Sequence, residues 1–580
     1  MRYLVLACDY DGTLARGGIV CEATLAALVR LRESGRRLVL VTGRELADLS
    51  QTFAHFEHFE YIVAENGATL YQVATRQEKL LGERPSEEFV AALTSRGVAP
   101  LSVGRGIVAT WQPHETAVLQ TIRDFGLELQ VVFNKGAVMV VPTGINKATG
   151  LQAALKEMNV SAHNVVAIGD AENDHALLAT AEAGVAVANA IPTLAERADL
   201  VTRGRCGDGV IELIDRLIDN DLADLAPRLT RHHILLGHDI EGLKISLPPY
   251  GTNVLVSGKS GSGKSSLAAA LVERLVEQHY QICVIDPEGD YDNFTNAVMI
   301  GSPTQPPDLE HVQRVLTDPH ENVIVNLTGV ALQDRPACFV SLLSRIGELR
   351  AHTGHPHWII VDEAHHVLPS SWEPTALAIP HHLDRMLFVT LEQCDLVASA
   401  ALRAVDTVIA VGDAASTTFE RLAKAVHRKA PRLHVSQLEA GQVIYWSKQA
   451  GPPVVVNAVP GRLERRRHSR KYAEGDLGPD RSFYFRGPEG KLHLRAHNLM
   501  IFLQMAEGVD EETWLHHLKQ GEYSQWFANS IKDPILGHEA ARIESELPHS
   551  AESSLAAIKA LLEEHYTLPG SPATPVLARE

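Results

Sequence analysis

The sequence predicts an α/β protein built as two open, mainly parallel sheets in series, followed by a small, mostly helical domain. Two observations predict the sheets. Short apolar, β-branched runs alternate with amphipathic helical stretches across the first part of the chain, and the same alternation restarts at residue 252 and continues to 411. Strands spaced by helices in this way are the signature of βαβ units. A third observation predicts the last domain: beyond residue 480 the alternation stops and short amphipathic helices take over. At 580 residues, 45% hydrophobic and 21% charged, the composition is that of a globular chain with room for several domains.

YLVLAC (3–8) is the first buried strand, EATLAALVRLRES the first amphipathic helix, and RLVLVT (37–42) the next strand. The first strand runs into Asp9-Tyr10-Asp11-Gly12-Thr13. Two carboxylates two residues apart at the carboxyl end of a buried parallel strand lie where open α/β sheets place their active sites. A carboxylate that attacks phosphorus forms an aspartyl-phosphate, dividing one difficult hydrolysis into two easier steps. Such chemistry also needs a metal, further carboxylates to hold it, a cation for the phosphoryl group and an acid/base. The chain supplies candidates in order: Thr42 in VTGR, Lys147 in GINKATGL, and Asp170 and Asp174 in GDAEND after the strand NVVAIGD.

This ordered set resembles the haloacid dehalogenase (HAD) superfamily of phosphatases, over roughly residues 1–225. The resemblance implies a Rossmann-like core in which Asp9 is the nucleophile, Asp11 the general acid/base, and Thr42 and Lys147 phosphoryl ligands. It further implies Mg²⁺ held by Asp9, the Asp11 carbonyl, Asp170 and Asp174, a hard ion among oxygens. The long insertion between Thr42 and Lys147 includes AENGATLY (64–71) and resembles the Cof-type (class IIB) branch, with an α/β cap at approximately 77–143. A closing cap implies a small phosphorylated substrate. Arg105 and His114 are cap candidates for choosing it, each more often an ordinary surface residue.

The second alternating region, 226–460, opens with NVLVSGKSGSGKSS (253–266). Gly258, Lys259, Ser260, Gly261, Ser262, Gly263, Lys264 and Ser265 form a complete GxxxxGKS between a strand and a helix, with Ser266 next. Glycines there turn backbone N–H groups toward phosphates, at the favourable end of the helix dipole. Lys264 is expected on the β/γ-phosphates and Ser265 on Mg²⁺. HWIIVDEAHHVL (357–368) ends its strand in Asp362, expected to support the metal, and Glu363, expected to polarise the attacking water. QICVIDPEGDY (281–291) resembles the HerA branch of the HerA–FtsK ATPases. That resemblance implies a RecA-like ATPase that hydrolyses ATP, forms a homo-oligomeric, hexameric ring and moves DNA or another polymer. In that frame Thr390 or Gln393 is the γ-phosphate sensor, and Arg385, Arg403 or Arg421 the arginine offered to a neighbouring subunit.

RLERRRHSRK lies in a basic linker, 461–480, and residues 481–567 form the small, mostly helical domain, with Asp510 capping a helix that buries Trp514 and Leu518. The tail 568–580 reads as disordered. A formal net charge of −18 argues against non-specific coating of DNA and leaves a local basic surface possible. Six scattered cysteines without a CxxC pair, no long apolar run and no leader pattern lead us to expect a cytoplasmic chain with reduced thiols and no membrane partner. Two functions follow as expectations. One is a bifunctional enzyme, a Mg²⁺-dependent phosphatase for a small molecule joined to a ring ATPase. The other is a DNA-translocating motor carrying the phosphatase as an accessory or sensor.

Overall fold

The computed structural model describes residues 1–580 apart from 260–261, 292–293, 372–384, 392–393, 413–414, 428, 432–437, 449–450, 462–476, 478–480, 489, 532–533, 546–549 and 566–580. Ser260, Gly261, Gln393, the basic run and the tail therefore lie outside the described residues. The chain divides into two compact units, Met1–Val459 and Pro460–Glu580. No helix among the described residues is long and apolar enough to cross a membrane.

The first sheet has eight strands. Val5–Asp9 lies at its centre, paired in parallel with Arg37–Val41 on one side and Val165–Gly169 on the other. Chain order runs outward in both directions from Val5–Asp9, so the loop after Asp9 occupies a topological switch point. Val5–Asp9 and Val165–Gly169 are buried throughout, which explains why they read as continuous apolar runs rather than alternating ones. A separate four-stranded antiparallel sheet, Ser102–Val103, Val108–Trp111, Ala137–Pro142 and Leu129–Asn134, carries the helices Glu87–Ser95 and Glu115–Phe125. Its own small core contains Phe89, Leu93, Val118 and Val140. This is the cap.

The second sheet has eleven described strands. Asn253–Gly258 pairs in parallel with Met386–Leu391 and Thr407–Val411, and the six central strands anticipated between 252 and 411 are all present. Four further strands, Ile234–Asp239, Lys244–Leu247, Gln442–Ser447 and Val454–Ala458, extend one edge in antiparallel fashion. They escaped the sequence reading because strands of an antiparallel extension are partly exposed and mix polar with apolar residues, as KISL at the edge and VVVNA inside it do.

The two sheets meet through the amino ends of their strands. Asn164 and Glu182 immediately precede Val165–Gly169 and Ala183–Ala186, while Gln281 and His357 precede Ile282–Asp286 and Trp358–Val361. The His163 ring stacks on Tyr280 at 3.7 Å, and its Nε2 lies 2.7 Å from the Gln278 carbonyl oxygen. The Tyr250 hydroxyl donates to the His163 carbonyl, and the Arg2 guanidinium lies 3.5 Å over the Tyr250 ring. At the centre Glu182, fully buried, accepts from Arg2 at 2.6 Å and meets His163 Nδ1 at 2.7 Å. Burial works to raise the Glu182 pKa, but His163 and Arg2 outweigh it and hold the carboxyl at about 2.

The second unit pairs Phe483–Phe485 with Leu494–Ala496 as a hairpin, followed by helices. Asp510 caps Glu511–Lys519 by accepting from the Thr513 N–H, and Trp514 and Leu518 are buried as anticipated.

Removing the buried carboxylate leaves the Arg2 guanidinium without its ion-pair partner and His163 Nδ1 without its hydrogen bond. Glu182→Ala should therefore destabilise the first unit by about 3 to 5 kcal/mol, read as a lower urea midpoint at pH 7. A folded pKa below the unfolded value places this stabilisation above about pH 4.5, and it fades as pH falls toward 2. The gap between wild type and variant should narrow over that window. Equal midpoints at pH 7 would contradict the assignment.

Candidate active sites

The loop after Asp9 begins at the carboxyl end of a fully buried strand, so the Asp9 side chain is itself nearly buried. Lys147 reaches it from the first turn of the helix Lys147–Met158. That helix starts where it does because Asn146 and Thr149 form a reciprocal capping box. The AENG turn supports it from below: Glu65, Asn66 and Gly67 all have positive φ, and a Cβ on Gly67 would lie 2.0 Å from the Asn146 carbonyl oxygen. Glycine is required there because the backbone of one element passes directly over the other.

The Lys147 ammonium, 1% exposed, donates to Asp9 Oδ1 at 2.6 Å and to Asp174 Oδ1 at 2.7 Å. The other Asp174 oxygen accepts from the backbone N–H groups of Asp170 and Ala171. Burial pushes the Asp9 carboxyl up to about 7, with Asp174 adding to the push and Lys147 opposing it. Burial also works to lower the Lys147 pKa, but Asp174 and Asp9 overcome it and hold the ammonium above the ordinary lysine value.

Carboxylate oxygens of Asp9, Asp170 and Asp174 lie within 4.8 Å of one another. Asp170 is buried, and its Oδ1 has no hydrogen-bond partner among the described residues. An all-oxygen donor set with an orphaned buried lone pair fits Mg²⁺. The charge of such an ion counters the repulsion that raises the Asp9 pKa.

Thr42 is buried at the end of Arg37–Val41, and its hydroxyl accepts from the Arg44 N–H. Three residues beyond the sequence-derived set also touch this centre. Arg44 grips both Asp11 oxygens, at 2.6 and 2.8 Å. Asn189 donates to the Gly12 carbonyl and to Asp170 Oδ2. Lys135, from the cap, donates to Asp170 Oδ2 at 2.5 Å. Arg44 was legible in principle, two residues after Thr42 in VTGR; Lys135 and Asn189 carry no motif. The cap candidates Arg105 and His114 are engaged elsewhere, Arg105 with Glu78 and His114 with the Ala99 carbonyl.

In the second sheet Gly258 ends Asn253–Gly258, and Gly263, at φ +96°, turns the chain into the helix Lys264–Glu277. A Cβ on Gly258 would lie 2.5 Å from the Val411 carbonyl oxygen, so the loop leaves the sheet with no room for a side chain. Lys259 and Ser262 join through a backbone hydrogen bond, and Ser265 and Ser266 open the helix behind Lys264. Lys264 Nζ donates to Glu363 Oε1 at 3.0 Å. Burial raises the Glu363 pKa against the pull of Lys264. Asp362 is buried beside it and accepts from the Glu363 N–H. Thr390 lies in register with Ser257 on the adjacent strand, buried, its hydroxyl without a hydrogen-bond partner among the described residues.

Of the candidate arginines, Arg385 is buried at the opposite, amino end of its strand and donates to the Gly354 carbonyl, so it cannot reach out to a neighbouring subunit. Arg421 pairs with Asp395. Asp286, at the start of DPEGDY, accepts from the N–H groups of Gly289, Asp290 and Tyr291 and so shapes its own turn. Burial raises its carboxyl to about 6 against those N–H groups.

Two polar loops at the carboxyl ends of the central strands of two sheets define an α/β protein with two separate candidate sites. Residues 6–103 and 115–214 match the haloacid dehalogenase-like hydrolase family, and residues 239–335 match the central domain of the helicase HerA. Phosphoglycolate phosphatase 2 of Saccharolobus solfataricus is 30% identical over 224 residues, covering 38% of this chain and 94% of the relative. Phosphoglycolate phosphatase of Methanothermobacter thermautotrophicus is 32% identical over 224 residues, covering 37% and 98%. That of Natronomonas pharaonis is 31% identical over 230 residues, covering 37% and 98%. The chain belongs to the haloacid dehalogenase-like hydrolases and carries a HerA-like domain behind that module.

Gly12 supplies a test of the carboxylate cluster. Its φ is +87°, and a Cβ there would lie 2.2 Å from Asp170 Oδ2. Gly12→Ala should displace Asp170 and weaken Mn²⁺ binding at least tenfold by titration calorimetry, while the far-UV circular dichroism spectrum stays unchanged. Unaltered Mn²⁺ affinity would remove Asp170 from the ion site.

Proposed function

We propose that the chain is a bifunctional enzyme: a Mg²⁺-dependent phosphatase acting through an aspartyl-phosphate, joined to a ring-forming HerA-type ATPase. The observation that carries the first half is the buried convergence of Asp9, Lys147, Asp170 and Asp174 beneath a cap. Mg²⁺, held by Asp9, Asp170, Asp174 and the Asp11 carbonyl, supplies charge stabilisation for the phosphoryl oxygens. Asp9 attacks phosphorus, the ester oxygen departs, and Asp11 gives it a proton. Asp11 then takes a proton from the water that hydrolyses the aspartyl-phosphate. Thr42 and Lys147 hold the phosphoryl group throughout, and Arg44, which grips both Asp11 oxygens, has to release one of them for that carboxyl to carry the proton it gives. The names of the relatives and a cap whose Lys135 reaches Asp170 support a short phosphorylated acid of the phosphoglycolate kind as substrate.

In the second half, the loop Gly258–Ser266 cradles ATP, and Lys264 exchanges Glu363 for the β- and γ-phosphates. That exchange frees Glu363 to polarise water, while Ser265 and Asp362 hold Mg²⁺. The ring and its head-to-tail interface rest on the HerA likeness of residues 239–335.

A phosphate-release assay with short phospho-acids, phosphosugars and ATP in Mg²⁺ tests both halves. Asp9→Asn should abolish ester hydrolysis by at least a thousandfold and leave ATP hydrolysis intact, and Lys264→Ala should do the reverse. Addition of duplex DNA separates the alternative. ATP turnover that depends on DNA, with no ester hydrolysed by the wild type, would make the protein a motor and overturn the phosphatase half.

A further inference from the structure

The cap sends one cation into the catalytic centre. Lys135 and Gly136 form the two-residue turn between Leu129–Asn134 and Ala137–Pro142, with φ of +47° and +90°, a tight hairpin turn that aims its side chain from a rigid base. The Lys135 backbone N–H donates to Glu172, fastening the hairpin tip to the loop that carries Asp170 and Asp174. Its ammonium lies 2.5 Å from Asp170 Oδ2 and 3.4 Å from the Asp11 carbonyl oxygen, two of the ligands assigned above to the ion. The other cap arginines with described partners are occupied at a distance: Arg84 with Glu87, Arg96 with Asp124, and Arg105 with Glu78.

Charge arithmetic shows what this ammonium is for. Arg44 balances Asp11. The three remaining carboxylates, Asp9, Asp170 and Asp174, face Lys147 and Lys135. A dication at those oxygens, together with Lys147, balances all three alone. Once the ion is bound, none of these three carboxylates is left for Lys135 to neutralise, and Glu172 beside it is met by the backbone N–H, yet the turn still points the ammonium at the reacting centre.

We propose that Lys135 is a specificity-determining residue that receives the carboxylate of a short phosphorylated acid, and that before ion binding the same ammonium takes the ion's place on Asp170. This rests on the phosphatase reading and deepens it, since it names the feature of the substrate that the cap recognises. A four-carbon tether on a fixed turn allows the move from Asp170 to a substrate carboxylate without any backbone rearrangement.

Two measurements on the full-length chain test this. The first compares kcat/KM for 2-phosphoglycolate and for ethyl phosphate, which lacks the carboxylate. Lys135→Met should lower the ratio of the two by about 10- to 100-fold, the worth of a charged hydrogen bond, and Lys135→Arg should restore part of it. A ratio that does not change overturns the proposal. The second is Mn²⁺ titration without substrate. Lys135→Met should bind Mn²⁺ about tenfold more tightly, because a competing cation is gone; equal or weaker binding overturns the displacement. If the wild type hydrolyses neither ester, the phosphatase reading fails, while the Mn²⁺ titration still decides whether Lys135 competes at Asp170.

Discussion

A lysine buried between two aspartates is the interaction on which the phosphatase half depends. An unpaired buried carboxylate is costly, and Asp9 and Asp174 are both out of water. Lys147 makes their proximity tolerable by donating to each. The surrounding architecture follows from holding that ammonium in place: the capping box at Asn146, the left-handed AENG turn beneath it, and the glycine that lets the two backbones touch. The same requirement explains why the innermost charges of the switch point, on Asp9, Lys147 and Asp174, can lie out of water. The carboxylates are held by opposite charges or by backbone N–H groups, and an orphaned carboxylate oxygen, on Asp170, faces the place proposed for the ion.

The HerA-like half solves a comparable problem with the same chemistry. Lys264 rests on Glu363 as Lys147 rests on Asp9 and Asp174. In both sites a buried ammonium is held by carboxylates of the strand-end loops, Asp9 and Asp174 in one and Glu363 in the other. The interaction is strong enough to position the lysine and is open to exchange when a more highly charged partner arrives. Both sites lie at the carboxyl ends of their strands, whereas the contact between the two sheets uses the amino ends, through Asn164 and His357 and through Glu182 and Tyr280. The strand Val165–Gly169 thus runs from the shared contact at one end to Asp170 at the other, and Trp358–Val361 runs likewise from His357 to Asp362. The two candidate sites lie at the strand ends opposite their common boundary.

Much of this was legible from residue order. The central strands of both sheets, the catalytic aspartates, Lys147 and the phosphate loop all belong to contiguous patterns in which an apolar run leads into a polar loop. Buried parallel strands must be apolar on both faces, and phosphate loops must be glycine-rich, so both requirements are written locally. Less was legible at the edges. Ile234–Asp239 and Val454–Ala458 are partly exposed and pair across most of a domain, so their pattern is weak and their partners are distant in sequence.

By itself, then, the sequence determined the α/β class, the order of the modules and which polar side chains end the central strands, because each depends on neighbours within a single loop. Only the tertiary structure decided what surrounds those groups. It brought Lys135 from the cap to Asp170, turned Asp11 onto Arg44, set Asn189 against Gly12 and carried Arg385 to the wrong end of its strand for a finger. It also joined the phosphatase and HerA-like halves through Arg2, His163, Glu182 and Tyr280, none of which stands in a motif. Such contacts join residues far apart in the chain, and an isolated lysine or glutamate carries no mark of the partner that folding gives it.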